Sequence, residues 1–170
     1  MSEMLEKARN YETEKLAHTD LNKKPLFHIS APTGWINDPN GFSVYDGKVH
    51  LFYQYYPYER EWGSMHWGHS VTTDMIYWEQ LPAALAPDQE YDKIGCFSGS
   101  AIEAEGKHVL VYTGVTKIKL DDGSEQERQN QCIAFGDGKD YAKYENNPVV
   151  TGEMLPEGCS RIDFRDPRTI

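Results

Sequence analysis

The sequence predicts an all-β fold assembled from propeller-like units, and three observations predict it. From Phe27 onward the chain is a series of short apolar runs rich in Val, Ile, Tyr and Phe, separated by Gly, Asp and Asn, which is the texture of strands and turns. Two such runs in "GFSVYDGKVHLFYQYY" (41–56) flank Asp46-Gly47, a dipeptide that favours a two-residue hairpin. The pattern then recurs. "GFSVYDGKVHLFY" (41–53) matches "GSAIEAEGKHVLVY" (99–112) with one residue inserted, and "DMIYWEQLP" (74–82) matches "DYAKYENNP" (140–148). A period of about 60 residues with two hairpins per unit is that of a four-stranded propeller blade.

Taken in order, residues 3–17 read as a short peripheral helix with Met4, Leu5, Ala8, Tyr11 and Leu16 on one face. This divides the chain into a helical extension (1–24) and the start of a propeller domain (25–170). The second repeat is longer than the first, and the excess falls in "KIKLDDGSEQERQNQ" (117–131), read as a polar loop insertion. The repeat sets "WINDPNG" (35–41) opposite "KIGCFSG" (93–99), with "DFRDP" (163–167) about two repeat lengths beyond "INDP". Each then opens a blade. First strands of blades line the central channel, so three distant motifs would converge on one pocket.

Composition narrows the ligands. A net charge of −10 without a basic run argues against nucleic acid and anionic membranes as partners. Many aromatics beside carboxylates suit a neutral, hydroxyl-rich small molecule such as a sugar. Cys96, Cys132 and Cys159 are an odd set with no C-x-x-C spacing, which points to a reducing compartment rather than a disulfide scaffold. The N-terminal segment is charged throughout, without the apolar stretch of a secretory signal, and no apolar run approaches membrane-spanning length. The expectation is a soluble, cytoplasmic protein.

"DPNG" (38–41) is close to the recipe for a type I turn, so Asp38 is either a corner residue or a carboxylate held for chemistry. Asp38 and Asp166 both precede proline, which biases each towards extended backbone and stiffens the chain carrying the carboxylate. Arg165 either forks its donors onto hydroxyls or is simply solvated. Trp62 follows a polar loop and suits sugar stacking better than Trp67 and Trp78, which sit in strand-like runs. Gln54 can offer an amide to vicinal hydroxyls or serve the structure. His66 and His69 lie at i, i+3 on a strand, facing opposite sides, so no metal or other cofactor is expected.

With these residues in view, the chain resembles glycoside hydrolase family 32, the invertases and sucrose-6-phosphate hydrolases. The resemblance rests on "WINDPNG", "FYQYYP", "WGHSVTTDMIYWEQLP", "GCFSGSA", "YTG" and "FRDP", in family order from about residue 27 to 170. It implies a five-bladed β-propeller, of which this chain supplies about the first two and a half blades. It also implies retaining cleavage of β-fructofuranosides such as sucrose or its 6-phosphate. By position, Asp38 would be the nucleophile and Asp166, with Arg165, the transition-state stabiliser. Trp35, Asn37, Gln54, Trp62, Phe97 and Ser98 match sugar-contacting positions. The family's acid/base Glu sits in a Glu-Cys dipeptide, and Cys96, Cys132 and Cys159 follow Gly95, Gln131 and Gly158. No acid is therefore assigned, and the expectation is an inactive N-terminal fragment prone to self-association through its open propeller edge. The alternatives are a non-catalytic fructoside-binding protein and a structural repeat protein in which the Asp-Pro dipeptides are only turns.

Overall fold

The computed structural model describes residues 1–25 and 27–170. One helix, α1 (Glu3–Ala17), precedes eight strands: β1 (Trp35–Tyr45), β2 (Lys48–Tyr56), β3 (His66–Thr72), β4 (Glu79–Leu85), β5 (Gly95–Ala104), β6 (Lys107–Lys119), β7 (Glu125–Gly136) and β8 (Tyr141–Lys143). They form two antiparallel four-stranded sheets in sequence order, β1 to β4 and β5 to β8. Hairpins β1–β2 and β5–β6 turn at Asp46-Gly47 and Glu105-Gly106, with all four residues at positive φ (48°, 70°, 51° and 72°), the geometry of type I′ turns. The first repeat match is thus strand on strand.

The second match is out of register. β4 begins five residues after Asp74, whereas β8 begins one residue after Asp140. The excess length of the second unit is also not a loop. It extends the β6–β7 hairpin, whose ladder pairs Lys119 with Glu125 at its tip, so most of residues 117–131 is strand. Polar side chains on both faces of that tip hid the strand pattern. Residues 155–170 form no strand, so the expected part of a third blade is an irregular segment lying on the second sheet.

Between the sheets lies the main core: Phe52, Trp67, Ala84 and Leu85 from the first against Cys96, Ala101, Leu110, Tyr112, Cys132, Ala134 and Tyr141 from the second. Strand parity places His50, Phe52 and Gln54 on the inward face of β2, and Trp67 and His69 on that of β3. The interface is therefore layered. At one end His50 Nδ1 meets His69 Nε2 at 2.9 Å, and His108 bonds the Tyr141 hydroxyl at 2.7 Å and Ser43 Oγ at 2.9 Å. At the other end Gln54 Nε2 donates to Cys96 O at 2.9 Å and Trp67 Nε1 to Phe97 O at 3.1 Å.

The opposite face of the first sheet buries Tyr53, Tyr55, Ala83 and Ala86 with Leu5 of α1. The buried helix face is Leu5, Ala8 and Glu12; Met4, one residue and about 100° round from Leu5, is exposed instead of joining it. The helix also covers the edge of β4. Arg9 Nε donates to Ala83 O at 2.9 Å, and Glu12 Oε2 accepts from Ala83 N at 3.2 Å. Two side chains thereby satisfy an edge-strand peptide that would otherwise template pairing.

Burial gives the fold a pH dependence. It holds the imidazoles of His66 and His108 down at about 4, and those of His50 and His69 below the usual 6.5. It pushes the Glu12 carboxyl up to about 7. Between 6.5 and about 4 the unfolded chain takes up imidazole protons that the folded one refuses, so acidification destabilises. Glu12 acts oppositely: its favourable contribution is complete below 4.5 and is lost as pH rises through 7. Four imidazoles outweigh the two raised carboxyls of Glu12 and Asp92, so the melting temperature falls below pH 6.5. Glu12→Gln makes that fall steeper and raises the melting temperature at pH 8, as thermal melts across pH will show.

Candidate active site

The motif "DPNG" is not a turn. Trp35–Tyr45 runs through it as one strand with two register shifts. Pro39 is tolerated because β1 is the edge of its sheet, where a missing N–H costs little. In the first shift, Ile36 pairs with Tyr55 and Pro39 with Tyr53, so both Asn37 and Asp38 oppose Gln54. That is a β-bulge, which bends the strand and re-aims a side chain. Asp38 is exposed on it, and Trp35 Nε1 donates to Asn37 Oδ1 at 2.7 Å beside it.

The second shift falls at Gly41 and Phe42. Gly41 takes φ 52°, and a Cβ there would stand 2.7 Å from the Phe52 ring, 3.2 Å from Ala101 Cβ and 3.3 Å from the Trp67 ring. Only glycine lets β1 approach both sheets this closely. β5 carries its own bulge. Phe97 pairs with Thr113 and Gly99 with Tyr112, leaving Ser98 unpaired between them.

These bulged strands meet at the Gln54 end of the interface. Gln54 is buried, and its amide grips the carbonyl of Cys96 next to Phe97 and Ser98, so its Nε2 is committed to the inter-sheet contact. Trp62 is 54% exposed, and its ring stands edge-on to Phe97 with centroids 6.0 Å apart, so the loop tryptophan and the β5 aromatic form one wall. Asp166 reaches the same region through its backbone, donating N–H to Thr113 Oγ1 at 3.1 Å, while that hydroxyl lies 3.2 Å from Ser98 O. Arg165 Nη1 bonds Asp163 at 2.7 Å and its Nε lies 3.9 Å from Asp166 Oδ2, with both side chains exposed.

Asp166 is not extended. It holds φ 62° immediately before Pro167, a conformation that costs a non-glycine residue free energy. The pull comes from its neighbours, since the N–H must reach Thr113 and the chain must then return so that Thr169 N donates to Ser100 Oγ at 2.9 Å.

Sequence reading passed over four residues here. Thr113, Gln129 and Gln131 are buried on one face of β6 and β7 and bind the 164–166 backbone; Thr113 is a polar residue in an apolar stretch of β6, but the two glutamines lie in an all-polar run that gives no such signal. Asn40, inside "DPNG", is buried with neither amide atom hydrogen-bonded among the described residues. His66 and His69 face different clusters, the first Tyr56 and Tyr58, the second His50 and Phe52.

Two stacked four-stranded meanders, with bulged edge strands carrying a carboxylate and an aromatic wall, make an all-β chain with a candidate site near the starts of β1 and β5, and the solved structures it superposes on are β-propellers. The model of the Glycosyl hydrolases family 32 N-terminal domain matches residues 28–170. The chain belongs to that family. It is 43% identical over 145 residues to a sucrose-6-phosphate hydrolase of Zymomonas mobilis, covering 85% of this chain and 27% of that protein. Among solved structures, a Bombyx mori GH32 β-fructofuranosidase superposes with a TM-score of 0.81 at 44% identity, covering 96% of this chain and 33% of that one. A variant of the Bombyx mori protein in complex with sucrose aligns equally well, with a TM-score of 0.81 at 43% identity and the same coverage. The chain thus spans about a third or less of the length of these relatives.

Gly41→Ala combines a disfavoured φ with overpacking, so it lowers stability by about 2–4 kcal/mol. Gly47→Ala, at positive φ but with nothing within 4 Å, costs about 1–2 kcal/mol. Urea midpoints of the two variants measure the difference.

Proposed function

We propose that this chain is the first part of a retaining β-fructofuranosidase, with its two sheets as the first blades of a five-bladed propeller. Asp38 is the nucleophile that forms a covalent fructosyl-enzyme. Asp166, with Arg165, holds fructose hydroxyls and stabilises the oxocarbenium-like transition state. Trp35, Asn37, Gln54, Trp62, Phe97 and Ser98 shape the sugar pocket, with Gln54 fixing the Cys96–Ser98 segment from behind. The substrate is sucrose or sucrose 6-phosphate, as the names of the relatives suggest, and the setting is cytoplasmic.

One observation carries the reading. A continuous path joins the three motifs: the Asn37-Asp38 bulge opposes Gln54, Gln54 grips Cys96, Ser98 meets Thr113, and Thr113 holds Asp166. A retaining glycosidase needs an ionised carboxylate at the anomeric carbon and a protonated carboxyl at the leaving oxygen, roughly 5–5.5 Å apart. Asp38, exposed on the bulge of β1, suits the first role. For the second, β1 and β5 offer only Glu103, next to the far β5–β6 turn. The family resemblance places the acid in a Glu-Cys dipeptide, which none of Cys96, Cys132 and Cys159 forms, so no acid is assigned within these 170 residues; its own surroundings must raise its pKa.

In the full-length protein, Asp38→Asn abolishes covalent labelling by a fructose-derived inactivator, read by intact-protein mass spectrometry; persistent labelling removes Asp38 from the nucleophile's role. The 170-residue chain alone gives no useful sucrose hydrolysis and self-associates on size exclusion, because an unclosed propeller exposes a strand edge. Turnover by this chain at a rate near that of the full-length protein would overturn the assignment of the acid. A full-length protein that binds fructosides without turnover would point to a binding protein instead.

A further inference from the structure

The polar face of the second sheet, which the reaction itself does not use, raises a question of purpose. Thr113, Gln129 and Gln131 are each at most 5% exposed, and a buried polar side chain is costly unless hydrogen-bonded. Thr113 and Gln131 are cross-strand partners, and Gln129 shares their face at i−2, so the three form one stripe pointing away from the main core. Each of the three makes a bond to the segment that carries Asp166. Gln129 Oε1 accepts the Phe164 N–H at 2.8 Å, and Gln131 Nε2 donates to Phe164 O at 2.7 Å. Both backbone groups of one residue are thus held by side chains, where a strand would use a ladder.

Thr113 completes the arrangement two residues on. A hydroxyl has one proton and two lone pairs. The proton is directed at Ser98 O and Gln131 Oε1, each 3.2 Å away, which leaves a lone pair for the Asp166 N–H at 3.1 Å. The same oxygen therefore ties the bulged Ser98 of β5 to the backbone of Asp166, at the residue whose φ of 62° before proline needs an external restraint.

We propose that Thr113, with Gln131 and Gln129, is a positioning clamp that fixes the Asp166 carboxylate relative to the Phe97–Ser98 wall of the pocket. The clamp rests on the reading of Asp166 as transition-state stabiliser. It acts on alignment, so its loss is felt in turnover more than in ground-state binding; misplacement of a reacting group by about 1 Å costs on the order of a hundredfold in rate.

The test uses the full-length protein with sucrose and sucrose 6-phosphate. Thr113→Val keeps the shape and removes both the donor and the acceptor. It lowers kcat about tenfold to a hundredfold with KM within about threefold, whereas Thr113→Ser restores most of the loss. Gln129→Leu, which frees only the Phe164 N–H, gives a smaller fall in kcat and serves if the valine variant does not fold. Hydrogen exchange on the same samples reads the clamp without catalysis: the Phe164 and Asp166 amides are protected in the wild type, and the Asp166 amide loses protection in Thr113→Val. Wild-type kcat in a folded Thr113→Val protein, or failure of Thr113→Ser to rescue, overturns the clamp. Asp166→Ala run alongside separates the two claims. If it is inactive while Thr113→Val is unaffected, the clamp falls and the role of Asp166 stands. If it retains wild-type kcat, the role of Asp166 falls and takes the clamp's catalytic purpose with it. Unprotected amides in the wild type overturn the clamp whatever the kinetics.

Discussion

The contact on which the rest depends is the seating of Trp67 between the two sheets. Its ring is fully buried, lies 5.5 Å from that of Phe52 and 6.3 Å from that of Tyr112, and its indole N–H is spent on the Phe97 carbonyl across the interface. A large aromatic can lie there only because its neighbours are small: Gly41 on β1, and Ala84, Ala101 and Ala134 in the same cluster. Packing at native density leaves little freedom to slide. Once Trp67 is seated and bonded, the register of β3 against β5 is set. The polar contacts that cross either end of the interface, Ser43–His108 and Gln54–Cys96, then fall into place.

That register matters because the site is made by departures from regular pairing. A straight strand sends neighbouring side chains to opposite faces, so it cannot offer two adjacent residues to one partner. The bulge opposite Gln54 does so with Asn37 and Asp38, and the bulge at Ser98 does it from the facing strand. Bulges at an edge strand come cheaply, since one side of the ladder is already open. The candidate site thus occupies the inner edge strands of the sheets, while the paired strands behind them supply rigidity.

The sequence was legible where chemistry and period are local. The hairpin turns and the helix span follow from residue type and spacing alone, and the motif set placed the chain in its family. Three features were not legible, each for a physical reason. "DPNG" has turn chemistry, but the packing of Gly41 against Phe52 and Trp67 favours a doubly bulged strand over a reversal of the chain. The β6–β7 tip stands clear of the core and is polar on both faces apart from Ile118, so its alternation is too weak in hydropathy to mark strands. Glu12 faces inward on α1 because its partner is a backbone amide of an edge strand, a contact that no hydropathy pattern records.

Asp166 shows the same principle from the other side. Where Asp38 is held by a bulged but genuine strand, the segment around Asp166 has no ladder, and side chains replace it. A ladder would impose extended φ at every residue, which is incompatible with 62° at a residue preceding proline. Side-chain acceptors carry no such condition: a glutamine or threonine oxygen can meet an N–H arriving from an irregular backbone. The cost is that these polar groups must be buried on a sheet face, which is stable only while the segment they bind stays in place. The stripe of Thr113, Gln129 and Gln131 and the irregular 164–166 backbone therefore require each other, and either would be unfavourable alone.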